Sequence, residues 1–267
     1  MDLMQAFWLA VVQGITEFLP VSSSAHLVIL PHVMGWTDQG IVFDIAVHVG
    51  TLLAVMLYFK RDVITIIGGK FDIVRGRWDT AGARLIMQLV IATIPVVVAA
   101  LLLGDWQASV RDNIALIAWG SIGFGVLLAI VDYPTPKHSR TQGVSLFHAL
   151  IFGLFQAAAI FPGTSRSGAC VTAGRLLGYD RETAGRFGSL MAMPTILLAG
   201  LYSLVKTDLA GLNWQNDAMS LLVGMAFSCM CALVGIHILM KFLTKTGYWP
   251  FVIYRVGLGI VLLMWFA

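Results

Sequence analysis

The chain has 267 residues, of which 58% are hydrophobic and only 12% are charged, and its formal net charge at neutral pH is +3. A soluble domain carries roughly 25% charged residues, so this composition excludes an ordinary soluble protein and predicts a single, mostly helical membrane domain. The small basic excess falls in loops, where it indicates topology rather than nucleic-acid binding. The three cysteines lack zinc or disulfide spacing and are expected to be free thiols.

The N-terminal stretch is apolar but is interrupted by polar residues and a proline. Residues 3–12 are too short to cross a bilayer before Gln13 and Glu17, and Pro20 then ends the helical pattern. The apolar run that follows, residues 27–33, is also short. Two half-length pieces around a polar break predict a re-entrant helix–loop–helix. A membrane tolerates such a break only where protein or a water-filled cavity covers it.

Three apolar stretches of spanning length follow in the first half, at residues 41–59, 85–103 and 114–131. The segment between the first two, residues 60–84, holds six basic residues and is therefore predicted to be a cytoplasmic loop. A polar cytoplasmic segment at residues 132–143 marks the midpoint of the chain.

The second half repeats this order. A second broken unit, residues 144–177, is interrupted by Pro162 and Gly163, and spans follow at residues 187–205, 218–240 and 250–267. An odd number of spans in each half inverts the second half relative to the first. The predicted fold is an all-α polytopic membrane protein with six transmembrane helices and two re-entrant units. It forms one domain, residues 1–267, built as an inverted-topology repeat of residues 1–131 and 144–267.

A short sequence echo links the two broken units. When a three-residue gap is placed before the proline, five residues of the first unit align with five of the second: Gly14, Glu17, Pro20, Ser22 and Ser23 with Gly153, Gln156, Pro162, Thr164 and Ser165.

The second break holds groups that bind anions. Arg166 is a guanidinium at membrane depth, which needs an anionic partner and matches a phosphate or a carboxylate best. Around it, hydroxyls and glycines lie where a loop enters a helix, an arrangement that binds phosphate through backbone amides. These neighbours are Gly163, Thr164, Ser165, Ser167 and Gly168.

The first break holds reactive groups. Ser22, Ser23 and Ser24 supply hydroxyls, and His26 lies three residues after Ser23, within reach of it if a helix begins at the serines. A serine becomes a useful nucleophile when a base takes its proton. We therefore predict that Ser23 attacks phosphorus or positions a water molecule that does, and that His26 moves the proton.

Glu17 can orient His26 or hold a divalent cation, Mg²⁺ or Ca²⁺, and Gln13 shares its helix face one turn earlier. The chemistry predicted is phosphoryl transfer to water, with Arg166 and the cation stabilising the phosphate oxygens. In the absence of ligand, Glu17 and Arg166 are expected to pair with each other.

Structural explanations compete with these functional ones. Serines beside chain breaks usually cap helices, and an intramembrane ion pair can be purely structural. Ionisable groups at that depth are functional by default, however, and the two breaks together favour a site. His48, one turn after Asp44, is expected to pack or to support the site rather than to react.

Two segments, QGITEFLPVSSSAH at residues 13–26 and PGTSRSGA at residues 162–169, resemble the signature motifs of the bacterial undecaprenyl-diphosphate phosphatases, the bacitracin-resistance family. The resemblance implies a multi-pass inner-membrane hydrolase that removes one phosphate from undecaprenyl diphosphate, giving the carrier lipid for peptidoglycan synthesis. It implies dependence on Ca²⁺ or Mg²⁺ and access from the periplasm. The family motifs fall on Gln13, Glu17, Ser22, Ser23, His26, Ser165, Arg166 and Ser167. Together with the anion-binding groups above, this predicts catalysis by Ser23, His26, Glu17 and Arg166, substrate binding by Ser22, Gly163, Thr164, Ser165, Ser167 and Thr172, and metal binding by Glu17 and Gln13.

Two positions depart from the family pattern. Gln13 stands where an anionic metal ligand can occur, so cation binding would rest on Glu17 and the diphosphate. Cys170 replaces a hydroxyl residue of many members, and its contact is lost or passes to Thr172.

Two other functions stay open from the residues alone. A polyprenyl-phosphate transporter or flippase would use the same inverted repeat, but it needs no nucleophile and base. An intramembrane serine protease is less favoured, because the anion-binding groups around Arg166 suit a phosphate better than a peptide carbonyl. The expected partners are the diphosphate and membrane lipid, without nucleic acid, and the expected assembly, if any, is a homodimer.

Overall fold

The computed structural model describes residues 1–133, 143–206, 214–243 and 246–266, and every regular element in that part of the chain is helical. The helices are α1 Leu3–Thr16, α2 Ser23–Met34, α3 Gly40–Tyr58, α4 Lys60–Val74, α5 Ala81–Val110, α6 Ile114–Asp132, α7 Leu146–Ala157, α8 Arg166–Leu176, α9 Arg181–Lys206, α10 Trp214–Leu243 and α11 Trp249–Trp265, with a 3₁₀ turn at Ala158–Ile160 after α7.

Five helices of the described chain are long and apolar enough to cross a membrane, namely α3, α5, α6, α9 and α10. The prediction of an all-helical, multi-pass membrane protein is thereby confirmed. Helix α11, where the sequence predicts a sixth span, is apolar but has only 17 residues. Most of the polar midpoint at residues 132–143 lies outside the described residues.

Residues 60–84 are largely helical, although the sequence predicts a loop there. Helix α4 is held against the start of α5 by two glycines, since a methyl group on Gly82 would lie 2.7 Å from the Cα atom of Gly69. Helix α5 then begins at Ala81, where the Thr80 hydroxyl accepts from the amide of Ala83 at 3.2 Å. The basic residues of this segment indicate a side of the membrane and do not prevent helix formation.

Two parts of the chain are helical units interrupted by a short non-helical break. Helices α1 and α2 are separated by residues 17–22, and α7 with its 3₁₀ turn is separated from α8 by residues 161–165. Each break ends on a serine with a left-handed backbone, Ser22 at φ 72° and Ser165 at φ 68°. No other non-glycine residue of the described chain has a positive φ.

These two serines correct the register of the sequence echo. Ser22 and Ser165 are the residues that immediately precede α2 and α8, so they occupy equivalent positions. The sequence alignment places Ser22 opposite Thr164 instead. With the backbone register, Ser23 and Arg166 become equivalent, each as the first residue of its helix.

The two halves of the chain pack reciprocally. Helix α1 lies against α10, and α7 lies against α5. In both contacts a glycine allows close approach: a methyl group on Gly14 would lie 2.7 Å from the Cβ atom of Cys231, and one on Gly153 would lie 2.9 Å from the carbonyl carbon of Ala92. These contacts place both breaks in the protein interior.

Candidate active site

The Glu17 carboxylate is the meeting point of the two breaks. It lies just after α1 and is 6% exposed. Its Oε1 atom accepts a hydrogen bond from Nη2 of Arg166 at 2.8 Å. Its Oε2 atom accepts from the Ser23 hydroxyl at 2.6 Å and from Nε2 of Gln13 at 2.9 Å. The predicted ion pair between Glu17 and Arg166 is confirmed, as is the shared helix face of Gln13 and Glu17.

The local backbone explains why Ser23 and Arg166 reach this carboxylate. A left-handed residue with a side chain is disfavoured by roughly 1–2 kcal/mol, so Ser22 and Ser165 hold strained conformations. Strain of this kind persists only where surrounding contacts enforce it, and it clusters at functional sites. The two sharp turns start α2 and α8 so that their first side chains converge on Glu17.

Further contacts fix Arg166 and join the two loops. Nη1 of Arg166 donates to the carbonyl of Gly188 at 3.3 Å, and its guanidinium carbon lies 6.0 Å from the ring centre of Phe18. The Ser167 hydroxyl donates to the carbonyl of Leu19 at 2.8 Å, which ties the second loop directly to the first.

His26 has partners other than Ser23. Its Nδ1 atom lies 2.7 Å from the carbonyl oxygen of Ser22 and its Nε2 atom 2.6 Å from the hydroxyl of Tyr254, whose ring stacks on the imidazole at a centroid distance of 5.7 Å. If Nδ1 donates to the carbonyl, Nε2 accepts from the tyrosine. The predicted proton transfer between Ser23 and His26 stays a prediction, since both ring nitrogens of His26 are engaged elsewhere.

His48 lies nearer to the reactive groups than the sequence indicates. Its Nε2 atom is 3.7 Å from Oε2 of Glu17, the oxygen that accepts from Ser23. Its Nδ1 atom is 2.6 Å from the carbonyl oxygen of Asp44, and the Asp44 carboxylate in turn binds Arg111 at 2.8 Å. His48 therefore lies in a supporting position, directly beside the Glu17 carboxylate.

The predicted substrate-binding residues are all close to the breaks, but several of their hydroxyls serve the backbone. Ser165 accepts from the amide of Gly168 at 3.1 Å, and Thr172 donates to the carbonyl of Gly168 at 2.7 Å. Ser22 is buried, with its hydroxyl 3.4 Å from that of Ser24. Thr164 is fully buried, and its hydroxyl has no protein partner.

Gly163 is required by its backbone. It has a φ of 79°, and a methyl group there would lie 2.9 Å from the carbonyl carbon of Ile117 in α6. Both the left-handed conformation and the close approach exclude a side chain. Gly163 therefore shapes the second loop rather than presenting a ligand of its own.

A divalent cation finds few ligands at this site. Among the described residues, no group of three His, Cys, Asp or Glu side chains could hold a metal ion. Of the two predicted ligands, Gln13 has a buried amide oxygen without a partner, whereas both oxygens of Glu17 already accept hydrogen bonds. Mg²⁺ and Ca²⁺ favour oxygen ligands and accept phosphate and water, so Gln13 and Glu17 fit a cation that arrives with phosphate.

Two residues of α11 belong to this region and were missed in the sequence. Tyr254 contacts His26, and its neighbour Arg255, which is 0% exposed, donates to the carbonyls of Gly163 and Thr164 at 3.0 and 2.7 Å. A signal was present, because a lone arginine within an apolar helix is functional by default. Neighbouring residues of one helix thus contact both breaks.

Comparison with known proteins covers almost the whole chain. The family model described as Bacitracin resistance protein BacA matches residues 6–261. An undecaprenyl-diphosphatase of Saccharophagus degradans is 44% identical over 100% of both chains. One of Jannaschia sp. is 45% identical over 99% of this chain and 98% of its own. The undecaprenyl-diphosphatase 2 of Stutzerimonas stutzeri is 44% identical over 100% of this chain and 99% of its own.

Proposed function

The chain belongs to the bacitracin resistance protein BacA family, and from that premise we propose how Glu17, Ser23 and Arg166 perform its reaction. It is an undecaprenyl-diphosphatase, like its full-length relatives: it hydrolyses undecaprenyl diphosphate to undecaprenyl phosphate and inorganic phosphate. The reaction returns the carrier lipid to peptidoglycan synthesis and underlies bacitracin resistance in the family.

One observation supports the site assignment above all others. A serine hydroxyl donates to a buried carboxylate at 2.6 Å, and the same carboxylate binds a guanidinium at 2.8 Å. Phosphoryl transfer needs a nucleophile, a proton acceptor and a positive charge on the phosphate oxygens. A lipid transporter needs only the last of these, so the arrangement favours hydrolysis over transport.

The ion pair between Glu17 and Arg166 is the first contact that substrate would change. The diphosphate competes with Glu17 for the guanidinium, which binds phosphate oxygens in a bidentate way. Once Arg166 turns to the phosphate, the buried Glu17 carboxylate loses its counter-charge and gains affinity for a proton. The nearest donor is the Ser23 hydroxyl. Substrate binding therefore activates the nucleophile.

The proposed reaction has two steps. In the first, the Ser23 Oγ–phosphorus bond forms, the hydroxyl proton passes to Glu17, and the bridging P–O bond breaks so that undecaprenyl phosphate leaves with the electron pair. In the second, water attacks the phosphorus of the phosphoserine and the bond from phosphorus to Ser23 Oγ breaks. Ser23 Oγ takes back the proton that Glu17 holds, and inorganic phosphate departs with both protons of the water. Direct attack by a water molecule held by Ser23 is the alternative, and trapping of labelled phosphate on Ser23 separates the two.

We propose supporting roles for the two histidines. His48, whose Nε2 atom is 3.7 Å from Oε2 of Glu17, would hold the Glu17 side chain in place when Arg166 has left it. His26, which the sequence predicts to move the Ser23 proton, is proposed instead to carry a proton to the leaving group, which requires its Nε2 atom to exchange Tyr254 for a phosphate oxygen. Ser22, Ser165, Ser167 and Thr172 then keep the loops in shape, while Thr164 has a hydroxyl free for substrate.

The proposed cofactor is a divalent cation, Ca²⁺ or Mg²⁺. When bound, it would neutralise charge on the diphosphate oxygens. Gln13 would contribute its unpaired amide oxygen and Glu17 a carboxylate oxygen, with the rest of the shell from phosphate and water.

We propose the finer architecture from the packing of the described helices. Six spans and two re-entrant units, arranged as inverted repeats of residues 1–131 and 144–267, account for the equivalent breaks at Ser22 and Ser165 and for the reciprocal contacts α1–α10 and α7–α5. We further propose an inner-membrane location with the site open to the periplasm. The homodimer also stays a prediction, and a measurement of the particle mass in detergent tests it.

The test is inorganic phosphate release from C15 and C55 polyprenyl diphosphates by the purified protein in detergent, with and without Ca²⁺ or Mg²⁺. Cation-dependent release that is lost in Ser23→Ala supports the proposed site and cofactor. Phosphate release that continues in Ser23→Ala would refute the proposed site. Phosphate release that is unchanged by chelators would refute the requirement for a divalent cation.

A further inference from the structure

Arg255 is enclosed between α6, α8 and the loop before α8. It is 0% exposed, and its Nη2 atom donates to the carbonyls of Thr164, Gly163 and Gly120 at 2.7, 3.0 and 3.4 Å. These contacts fix the loop whose last residue is the strained Ser165. They use only one of the three nitrogens of the guanidinium.

The charge of Arg255 is uncompensated. Its Nε and Nη1 atoms are buried without a hydrogen-bond partner, and within the described ranges no carboxylate forms an ion pair with it. The two arginines of α8 differ in this respect: Arg166 pairs with Glu17, and Arg175 pairs with Asp132 at 2.7 Å. An unpaired buried cation is costly, so a protein that keeps one has a use for it.

The free side of the guanidinium faces the start of α8. A methyl group on Gly168, in the first turn of that helix, would lie 2.7 Å from Nη1 of Arg255 and 3.2 Å from the Ser165 hydroxyl. The N-terminus of a helix already favours anions through its amide groups and its dipole. Arg255 adds a whole positive charge directly behind that terminus, in an interior where solvent screens little.

We propose that Arg255 is a positioning residue for the diphosphate: its unpaired charge behind the first turn of α8 draws the anion to Arg166 and retains it there. Arg166 contacts the phosphate from the side of Glu17, whereas Arg255 acts through α8 and the carbonyls of Gly163 and Thr164. The inference deepens the proposed function and depends on it for the identity of the anion.

A counter-charge beside Arg255 tests this without removing the arginine. Gly125 in α6 is suitable, because a Cβ atom there would lie 3.3 Å from Cβ and 3.8 Å from Nε of Arg255. Gly125→Asp brings a carboxylate to the unpaired Nε, and Gly125→Asn has nearly the same shape without the charge. The probe is methylenediphosphonate, which is not hydrolysed, titrated calorimetrically into detergent-purified protein at fixed ionic strength while Tm is recorded.

We expect Gly125→Asp to bind the probe about tenfold or more weakly than Gly125→Asn, with a Tm at least as high, because the new pair removes an unpaired charge. In a second comparison, Arg255→Gln should lose affinity and Arg255→Lys should keep most of it. Equal affinities in Gly125→Asp and Gly125→Asn overturn the proposal.

If neither Gly125 variant folds, the affinities of Arg255→Gln and Arg255→Lys for the probe decide instead. Arg255→Lys, which keeps the charge, is the variant expected to fold. A loss of Tm in Arg255→Gln without a loss of affinity would show that Arg255 is only structural. Phosphate release by the unchanged protein is measured separately. Its failure would refute the phosphatase function while leaving the charge dependence of anion binding intact.

Discussion

Arg166 donates from Nη2 to Oε1 of Glu17 at 2.8 Å, although 149 residues separate the two in the chain. Both side chains are largely buried, with 15% and 5% of their surface exposed. Removing one member of such a pair leaves an uncompensated buried charge, which typically costs about 3–5 kcal/mol. The contact therefore couples the folding of the two halves as well as their chemistry.

A double-mutant cycle measures this coupling. Glu17→Gln and Arg166→Gln should each lower the free energy of unfolding by roughly 3 kcal/mol and abolish phosphate release, because each leaves the other charge unpaired. The double variant should be more stable than the sum of the single losses predicts, while still inactive. Thermal unfolding in detergent gives the stabilities, and strictly additive losses would show that the pair is not coupled.

Ser23→Ala should reduce phosphate release by about 100-fold or more, since it removes the hydroxyl that donates to Glu17. Stability should change little, because a net hydrogen bond is worth only about 1 kcal/mol. Ser24→Ala is the matched control: Ser24 is the next residue of the same helix and is exposed. Similar activity losses in the two variants would mean that the serine run acts as a whole, not through Ser23.

Tyr254→Phe should lower kcat by only a few-fold, whereas His26→Ala should lower it much further. The phenylalanine keeps the ring that stacks on His26 and removes only the hydroxyl 2.6 Å from Nε2, a change of about 1 kcal/mol. Steady-state kinetics on a C15 diphosphate compares them. If Tyr254→Phe is as inactive as His26→Ala, the tyrosine hydroxyl itself takes part in the proton transfer.

Gly14→Ala should lower the free energy of unfolding by about 1–3 kcal/mol, because the new methyl would lie 2.5 Å from the carbonyl oxygen of Ser228 in α10. The control is Gly68→Ala in α4, where nothing lies within 4 Å of the added methyl. There, alanine should be neutral or stabilise the helix by about 0.5–1 kcal/mol. Thermal unfolding of both variants in one detergent makes the comparison; a neutral Gly14→Ala would contradict the tight α1–α10 contact.

Much of the fold follows from local patterns. Spans of apolar residues and the two polar breaks were visible in the sequence, and the ion pair of Glu17 and Arg166 followed from the cost of burying either charge alone. The helix α4 was missed because a run of basic residues indicates the side of a membrane, not the conformation of the backbone.

Local patterns did not reveal several contacts of the site. Spacing placed His26 within reach of Ser23, but its partners are a carbonyl and a tyrosine 228 residues away, and local spacing does not reveal long-range contacts. The register of the two breaks depends on the left-handed φ of Ser22 and Ser165, and an alignment that relies on proline and hydroxyl residues cannot show it. Arg255 alone could have been found, as an isolated charge in an apolar helix.

Tyr254 and Arg255 lie in α11, the last helix of the described chain, and between them they contact both breaks. Because a ribosome delivers the chain from its N-terminus, α1 and α2 enter the bilayer long before these two residues are made. A chain that has not yet reached residue 255 thus lacks the side chain that fixes the loop before Arg166. The site is complete only when the last helix of the described chain has packed against His26 and against the loop before α8.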